Sequence, residues 1–228
     1  MAALIGIPYS YFSPLAYLKT NVEGTINILE ASKQNNIKRF IFASTVYVYS
    51  NLGGFYRISK QASENYIENF REEFDLNYTI LRYGSLYGLR SDKNNGIYKF
   101  IFNALKNNSL QFNGSPESMR EFIHVEDAAD CTVSILDEKF KNKHIIITGH
   151  QSISIDKLLK MICDILPNKD IKIIYDDNLK TSHYKTTPYA FNPRFAKKIV
   201  PESFIDLGQG LLQIVEHINE ELNIKRQS

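Results

Sequence analysis

The chain has 228 residues, 43% of them hydrophobic and 23% charged, which suits one large globular domain or two small ones with a sizeable core. Its 27 basic and 25 acidic residues are spread along the sequence and leave a formal charge of +2, so charge gives no general case for nucleic acid or a membrane surface. Two cysteines, Cys131 and Cys163, lie in apolar surroundings without Cys or His at metal-ligand spacing, which argues against a disulfide framework and a metal site.

The opening stretch, MAALIGIPYSYFSP, is apolar and leads to a helix start at Ser13-Pro14, with no room for an earlier element. From there helix and strand alternate: a helix through LKTNVEGTINILEASKQ, an apolar strand RFIFAS, a helix after Phe55, and the strand YTILR. Short, continuously apolar strands between amphipathic helices predict a parallel sheet covered on both faces. After Gly88 the rhythm loosens. Helices are expected over Ile97–Asn107, Val125–Asp137 and from a Ser154 cap to Leu166, with strands at Leu110–Phe112, Phe122–Ile123, HIIIT and IKIIY. TSHYKTTPYAFNP reads as a loop, and IDLGQGLLQIVEHINEEL closes the chain as an amphipathic helix. No 18-residue apolar run and no basic-then-apolar leader occurs, so the expected location is cytoplasmic.

Within the helix after Phe55, Tyr56 and Lys60 are four residues apart and so share a face. Spacing alone is weak, because this composition yields about one Tyr-x-x-x-Lys by chance. The chemical reading is that the Lys60 ammonium lowers the phenol's pKa and makes Tyr56 a general base; the bland one is an amphipathic helix with Tyr56 half-buried and Lys60 solvated. Upstream, FIFASTVYVYS ends an apolar strand in Ser44-Thr45. Hydroxyls at the carboxyl end of a parallel strand sit where ligands bind in open α/β sheets, although Ser and Thr are also common wherever a strand becomes a turn.

Five stretches in order resemble the extended short-chain dehydrogenase/reductases, in particular the NAD-dependent nucleotide-sugar epimerases and dehydratases. MAALIGIPYSY is similar to the segment after that family's fourth strand, and NVEGTINILEAS to its Asn-Val-x-Gly-Thr helix. STVYVYS resembles its Ser/Thr-x-x-Val-Tyr-Gly strand end and is followed by Tyr56 and Lys60; LRYGSLYG and REFIHVEDAAD resemble two later motifs. The resemblance implies a Rossmann-type α/β fold with a smaller C-terminal substrate-binding part. Residues 1–88 would be a partial NAD-binding domain, and residues 89–228 mainly the substrate-binding part, with some segments returning to the sheet. The family's Gly-x-x-Gly-x-x-Gly loop is not in this sequence, and the first βαβαβ half, roughly 60 residues, is expected to be missing.

Carried over residue by residue, the resemblance implies that Tyr56 is the acid/base, that Lys60 holds the nicotinamide ribose, and that Thr45 positions the reacting sugar hydroxyl with Ser44 beside it. Ala2, Ala3, Ser44 and Tyr83 would line the cofactor, while Ser85 and Arg120 would bind the sugar's diphosphate, Arg120 through its planar two-donor fork. Asn21 would pin the central sheet; for His124 and Asp127 a structural role is the better reading. Dehydratases carry acidic residues after the threonine, where this chain has Val46 and Tyr47, so epimerisation is favoured. The expected function is NAD-dependent epimerisation of a nucleotide-diphosphate sugar through a transient ketone, with the intact parent a homodimer. An NADP-dependent ketoreductase is the runner-up, and a non-catalytic remnant that binds nucleotide sugar or a protein is the alternative from another class. Such a remnant would expose an apolar strand edge.

Overall fold

A computed structural model describes residues 3–167, 170–176, 185–186, 197–201 and 203–227. Ala2 and all of the predicted loop at 181–193 except residues 185–186 lie outside the described residues. In chain order the first elements are α1 (Ile7–Phe12), α2 (Pro14–Tyr17), a π turn (Leu18–Glu23), α3 (Gly24–Gln34), β1 (Phe40–Thr45), a 3₁₀ turn (Val46–Tyr49), α4 (Gly54–Phe74), β2 (Tyr78–Tyr83) and β3 (Ser85–Tyr87). There follow α5 (Gly96–Asn107), β4 (Ser109–Asn113), β5 (Met119–His124), α6 (Val125–Ser134), β6 (Lys143–Ile147), β7 (Ser152–Ser154), α7 (Ile155–Ile165), β8 (Lys172–Asp176), β9 (Lys197–Ile199) and α8 (Leu207–Gln227).

The chain divides into two compact units. One holds Met1–Gly84, Cys131–Ile147 and Ser182–Ile199; the other holds Ser85–Asp130, Thr148–Thr181 and Val200–Ser228. The first unit contains a parallel sheet in the order β1-β2-β6-β9, the α/β architecture that the alternating pattern predicts. The first five residues of β2 are buried, as befits a strand covered on both faces. Leu29 of α3 and Ile67 and Phe70 of α4 pack with Phe40, Phe42 and Ile80 of the sheet. Burying such side chains stabilises by about 1.5–3 kcal/mol each.

The N-terminal stretch departs from expectation. Ile7–Phe12 forms a helix of its own with Pro8 in its first turn, and Ser13 makes no side-chain cap. Pro14, which lacks an N–H and fixes its own φ, ends one helix and begins the next. The expected single helix from Leu18 is instead a π turn that passes into α3, and the Asn21 carbonyl in that turn accepts from Thr25 Oγ1 at 2.6 Å and Ser63 Oγ at 3.0 Å.

The second unit packs α5, α7 and α8 around Ile101, Leu110, Leu158, Leu159, Leu211 and Ile214. Its strands form β3-β5-β7, with β7 antiparallel, and a separate parallel pair, β4-β8. Ser154 caps α7 through the Lys157 N–H, as its position predicts. Cys131 is buried and Cys163 half-buried. Among the described residues no helix is long and apolar enough to cross a membrane.

Candidate active site

Three segments of the first unit build the site: the tip of β1, the first two turns of α4, and the π turn. Helix α4 starts behind two consecutive glycines in the left-handed region, Gly53 at φ 102° and Gly54 at φ 54°. A Cβ on Gly54 would sit 2.7 Å from Ser10 Oγ and 2.9 Å from Tyr11 Cζ, so glycine is required both by conformation and by the close approach of α1. This turn delivers Tyr56 to the first turn of α4, close enough to Thr45 at the end of β1 for the threonine side chain to act on the phenol. Thr45 Oγ1 accepts from the Tyr47 N–H at 3.3 Å.

Burial pushes the Tyr56 phenol up to about 12; the Thr45 side chain works against that shift, and nearby Tyr17 adds to it. Lys60 is not among the groups acting on the phenol, so the expectation that it lowers the Tyr56 pKa is corrected. Its Nζ donates instead to the Ala43 carbonyl at 2.8 Å and lies 4.7 Å from the centre of the Phe42 ring. Lys60 is only 5% exposed, which rules out the reading of a solvated helix lysine. Burial lowers its pKa to about 8, with Glu64 pulling in the opposite direction. An ammonium has three donors, and the Ala43 carbonyl takes one, so Lys60 retains donors suited to ribose hydroxyls. The residues present thus fit the ribose end of NAD.

Ser44 does not stand with Thr45. Adjacent residues of a strand point to opposite faces, and the Ser44 hydroxyl donates to buried Glu64 at 2.5 Å. Tyr83, at the end of β2, is half-buried and shares a 2.5 Å hydrogen bond with Thr132. Ala3 is half-buried beside Leu4, whose N–H and carbonyl both pair with the Asn21 amide at 2.9 Å. Asn21 also donates to Ser59 Oγ at 2.9 Å. It therefore ties the N-terminal segment to α4, and the expectation that it pins the sheet is corrected, because Leu4 is not in a strand.

In the second unit, Ser85 pairs with Phe122, and Arg120 lies two residues from Phe122 on β5, so alternation puts Ser85 and Arg120 on one face of that sheet. Arg120 is 7% exposed, and its guanidinium donates to the Met119 carbonyl at 2.8 Å. His124 is buried edge-on to Tyr87 at 5.3 Å, and Asp127 accepts from the Ile205 N–H, so both carry structural contacts.

Sequence reasoning missed the buried group of Glu64, Arg82 and Tyr49. Its available signals were an acid one turn beyond Lys60 and an arginine inside the apolar strand YTILR.

The decisive comparison is with sequence families: residues 1–148 match the NAD dependent epimerase/dehydratase family. The chain belongs to that family. NAD is the cofactor for which the family is named. Among curated relatives, the UDP-glucuronate 4-epimerase of Thermodesulfobacterium geofontis is 22% identical over 98% of this chain and 72% of its own length. The UDP-N-acetyl-alpha-D-glucosaminuronate decarboxylase of Bacillus cytotoxicus is 29% identical over 77% of this chain and 60% of its own. Among solved structures, the UDP-N-acetylglucosamine 4-epimerase of Methanobrevibacter ruminantium M1, in complex with UDP-N-acetylmuramic acid, superposes with a TM-score of 0.80 at 26% identity. It covers 97% of this chain and 76% of that one.

Proposed function

We propose that this family member epimerises a UDP-type nucleotide sugar at a ring carbon through a transient ketone. The observation that carries the reading is the convergence of Thr45, Tyr56 and buried Lys60 at the end of β1, with Lys60 Nζ on the Ala43 carbonyl and Thr45 close enough to act on the phenol. NAD, when bound, supplies the acceptor and donor of the ring hydride. Thr45 orients the sugar hydroxyl and donates to the oxygen as charge grows on it, the kind of fixed donor that dominates such catalysis. In its deprotonated form Tyr56 takes the proton of the sugar hydroxyl, and it returns that proton to the ketone oxygen when the ketone is reduced; Thr45 favours the deprotonated phenol while burial opposes it. Lys60 holds the ribose hydroxyls. Ala2, Ala3, Ser44 and Tyr83 are the other cofactor-side candidates, with Ser44 acting through Glu64. Ser85 and Arg120 are the candidates for the diphosphate.

The relatives' names support the substrate class, and the non-acidic Val46 and Tyr47 support epimerisation over dehydration. A homodimer is part of the proposal. An open apolar groove of about 320 Å³ between the π turn and α4, lined by Leu15, Leu18, Phe55 and Ile58, offers a surface for a second copy. Calorimetric titration of the chain with NAD and then with a UDP-sugar tests the reading: binding of both is expected. A UDP-sugar response without any NAD response would favour the non-catalytic alternative.

A further inference from the structure

Helix α4 grips β1 at successive residues. Lys60 holds the Ala43 carbonyl, and one turn later Glu64 Oε1 accepts from Ser44 Oγ at 2.5 Å. The rest of the Glu64 carboxylate is filled from β2: Arg82 Nε reaches Oε1 at 3.1 Å, and Arg82 Nη2 reaches Oε2 at 2.6 Å. Arg82 Nη1 donates to the Tyr49 hydroxyl at 2.7 Å, and its guanidinium carbon lies 4.8 Å from the centre of that ring. Glu64 and Arg82 are each 2% exposed, Tyr49 3% and Ser44 4%.

A buried ion pair is a poor source of stability, because removing both charges from water offsets most of their attraction. A fully satisfied buried network does, however, fix geometry. What this one fixes is the residue next to Ser44. Holding the Ser44 side chain on one face of β1 sets the direction of Thr45 on the other. Holding Glu64 sets the rotation of α4 about its axis, and Tyr56 lies two turns earlier on the same face.

We propose that Glu64 is a positioning residue for the Tyr56–Thr45 pair, acting through the Ser44 hydroxyl and the Arg82 guanidinium. The proposal rests on the catalytic reading of that pair, but its test needs no turnover. The chain is labelled with [13Cζ]tyrosine, and the Tyr56 resonance is identified by its absence in Tyr56→Phe. Thr45→Val gives the position of that resonance without the threonine hydroxyl. In Glu64→Gln the resonance is expected to move toward the Thr45→Val position, with the circular dichroism spectrum unchanged. Because Glu64→Gln leaves Arg82 buried without its counter-charge, a second variant, Glu64→Met with Arg82→Met, removes both charges at similar volume and is expected to give the same movement. A Tyr56 resonance that stays at its wild-type position in the folded double variant overturns the proposal. Failure of both variants to fold also overturns it, since the network would then serve stability. A Tyr56 resonance unmoved in Thr45→Val would sink the pair and the proposal together. Unchanged turnover in Tyr56→Phe would sink the catalytic reading alone.

Discussion

Thr45 at the end of β1 and Tyr56 in the first turn of α4 lie close together, and the Thr45 side chain draws the phenol's pKa down while burial drives it up. Thr45→Val removes the downward influence and keeps the shape. The Tyr56 phenol is expected to stay protonated to higher pH than in the wild type, as read by NMR titration of the labelled phenol. Turnover of a UDP-sugar is expected to fall by about 10²–10³, the usual cost of losing one preorganised donor. An unchanged titration midpoint would separate the two hydroxyls.

Lys60 makes stability depend on pH in a defined direction. Its folded pKa of about 8 lies below the ordinary lysine value of 10.5, so between those limits the unfolded chain binds more protons and stability rises with pH. The full effect is about 3 kcal/mol. Half-buried Tyr56, with its pKa raised to about 12, acts in the opposite sense between pH 10 and 12. Urea unfolding of wild type and Lys60→Met at pH 7.5 and 9.5 isolates the lysine. The variant is expected to be the more stable at pH 7.5, with the gap closing at 9.5. A gap independent of pH would contradict a buried ammonium.

The rhythm of helix and strand was legible in the sequence because buried parallel strands such as YTILR are apolar without interruption and the helices between them are amphipathic. The proposed roles of Tyr56, Lys60 and Thr45 come from their order along the chain and the resemblance it carries. The division of labour between Ser44 and Thr45 was not: it depends on which face of β1 each side chain takes, and a hydroxyl at a strand end looks the same on either. The direction of the Tyr56 shift was also hidden, because four-residue spacing gives proximity on a helix but says nothing of burial. Here burial outweighs the influence of Thr45, and Lys60 turns to the Ala43 carbonyl.

Glu64→Ala leaves Arg82 as a buried charge without its carboxylate and is expected to destabilise the chain by about 3–5 kcal/mol. Glu64→Met with Arg82→Met is expected to recover most of that loss. Chemical denaturation of the wild type and both variants checks it. A double variant no more stable than Glu64→Ala would show that the pair contributes stability in its own right.

Leu18 is 54% exposed and Ile58 46%, and both line the apolar groove beside α4. Leu18→Glu places a carboxylate in that groove. Sedimentation is expected to give a dimer for the wild type and a monomer for Leu18→Glu, with circular dichroism unchanged. A monomeric wild type would remove the second copy from the account.

Tyr56→Phe tests the acid/base assignment most directly, since it deletes one oxygen and leaves the ring. Assayed for epimerisation of a UDP-sugar with NAD, the variant is expected to lose about 10²–10⁴ in kcat, the usual contribution of a positioned acid/base, while its UDP-sugar affinity is unchanged. A kcat equal to that of the wild type would contradict the account.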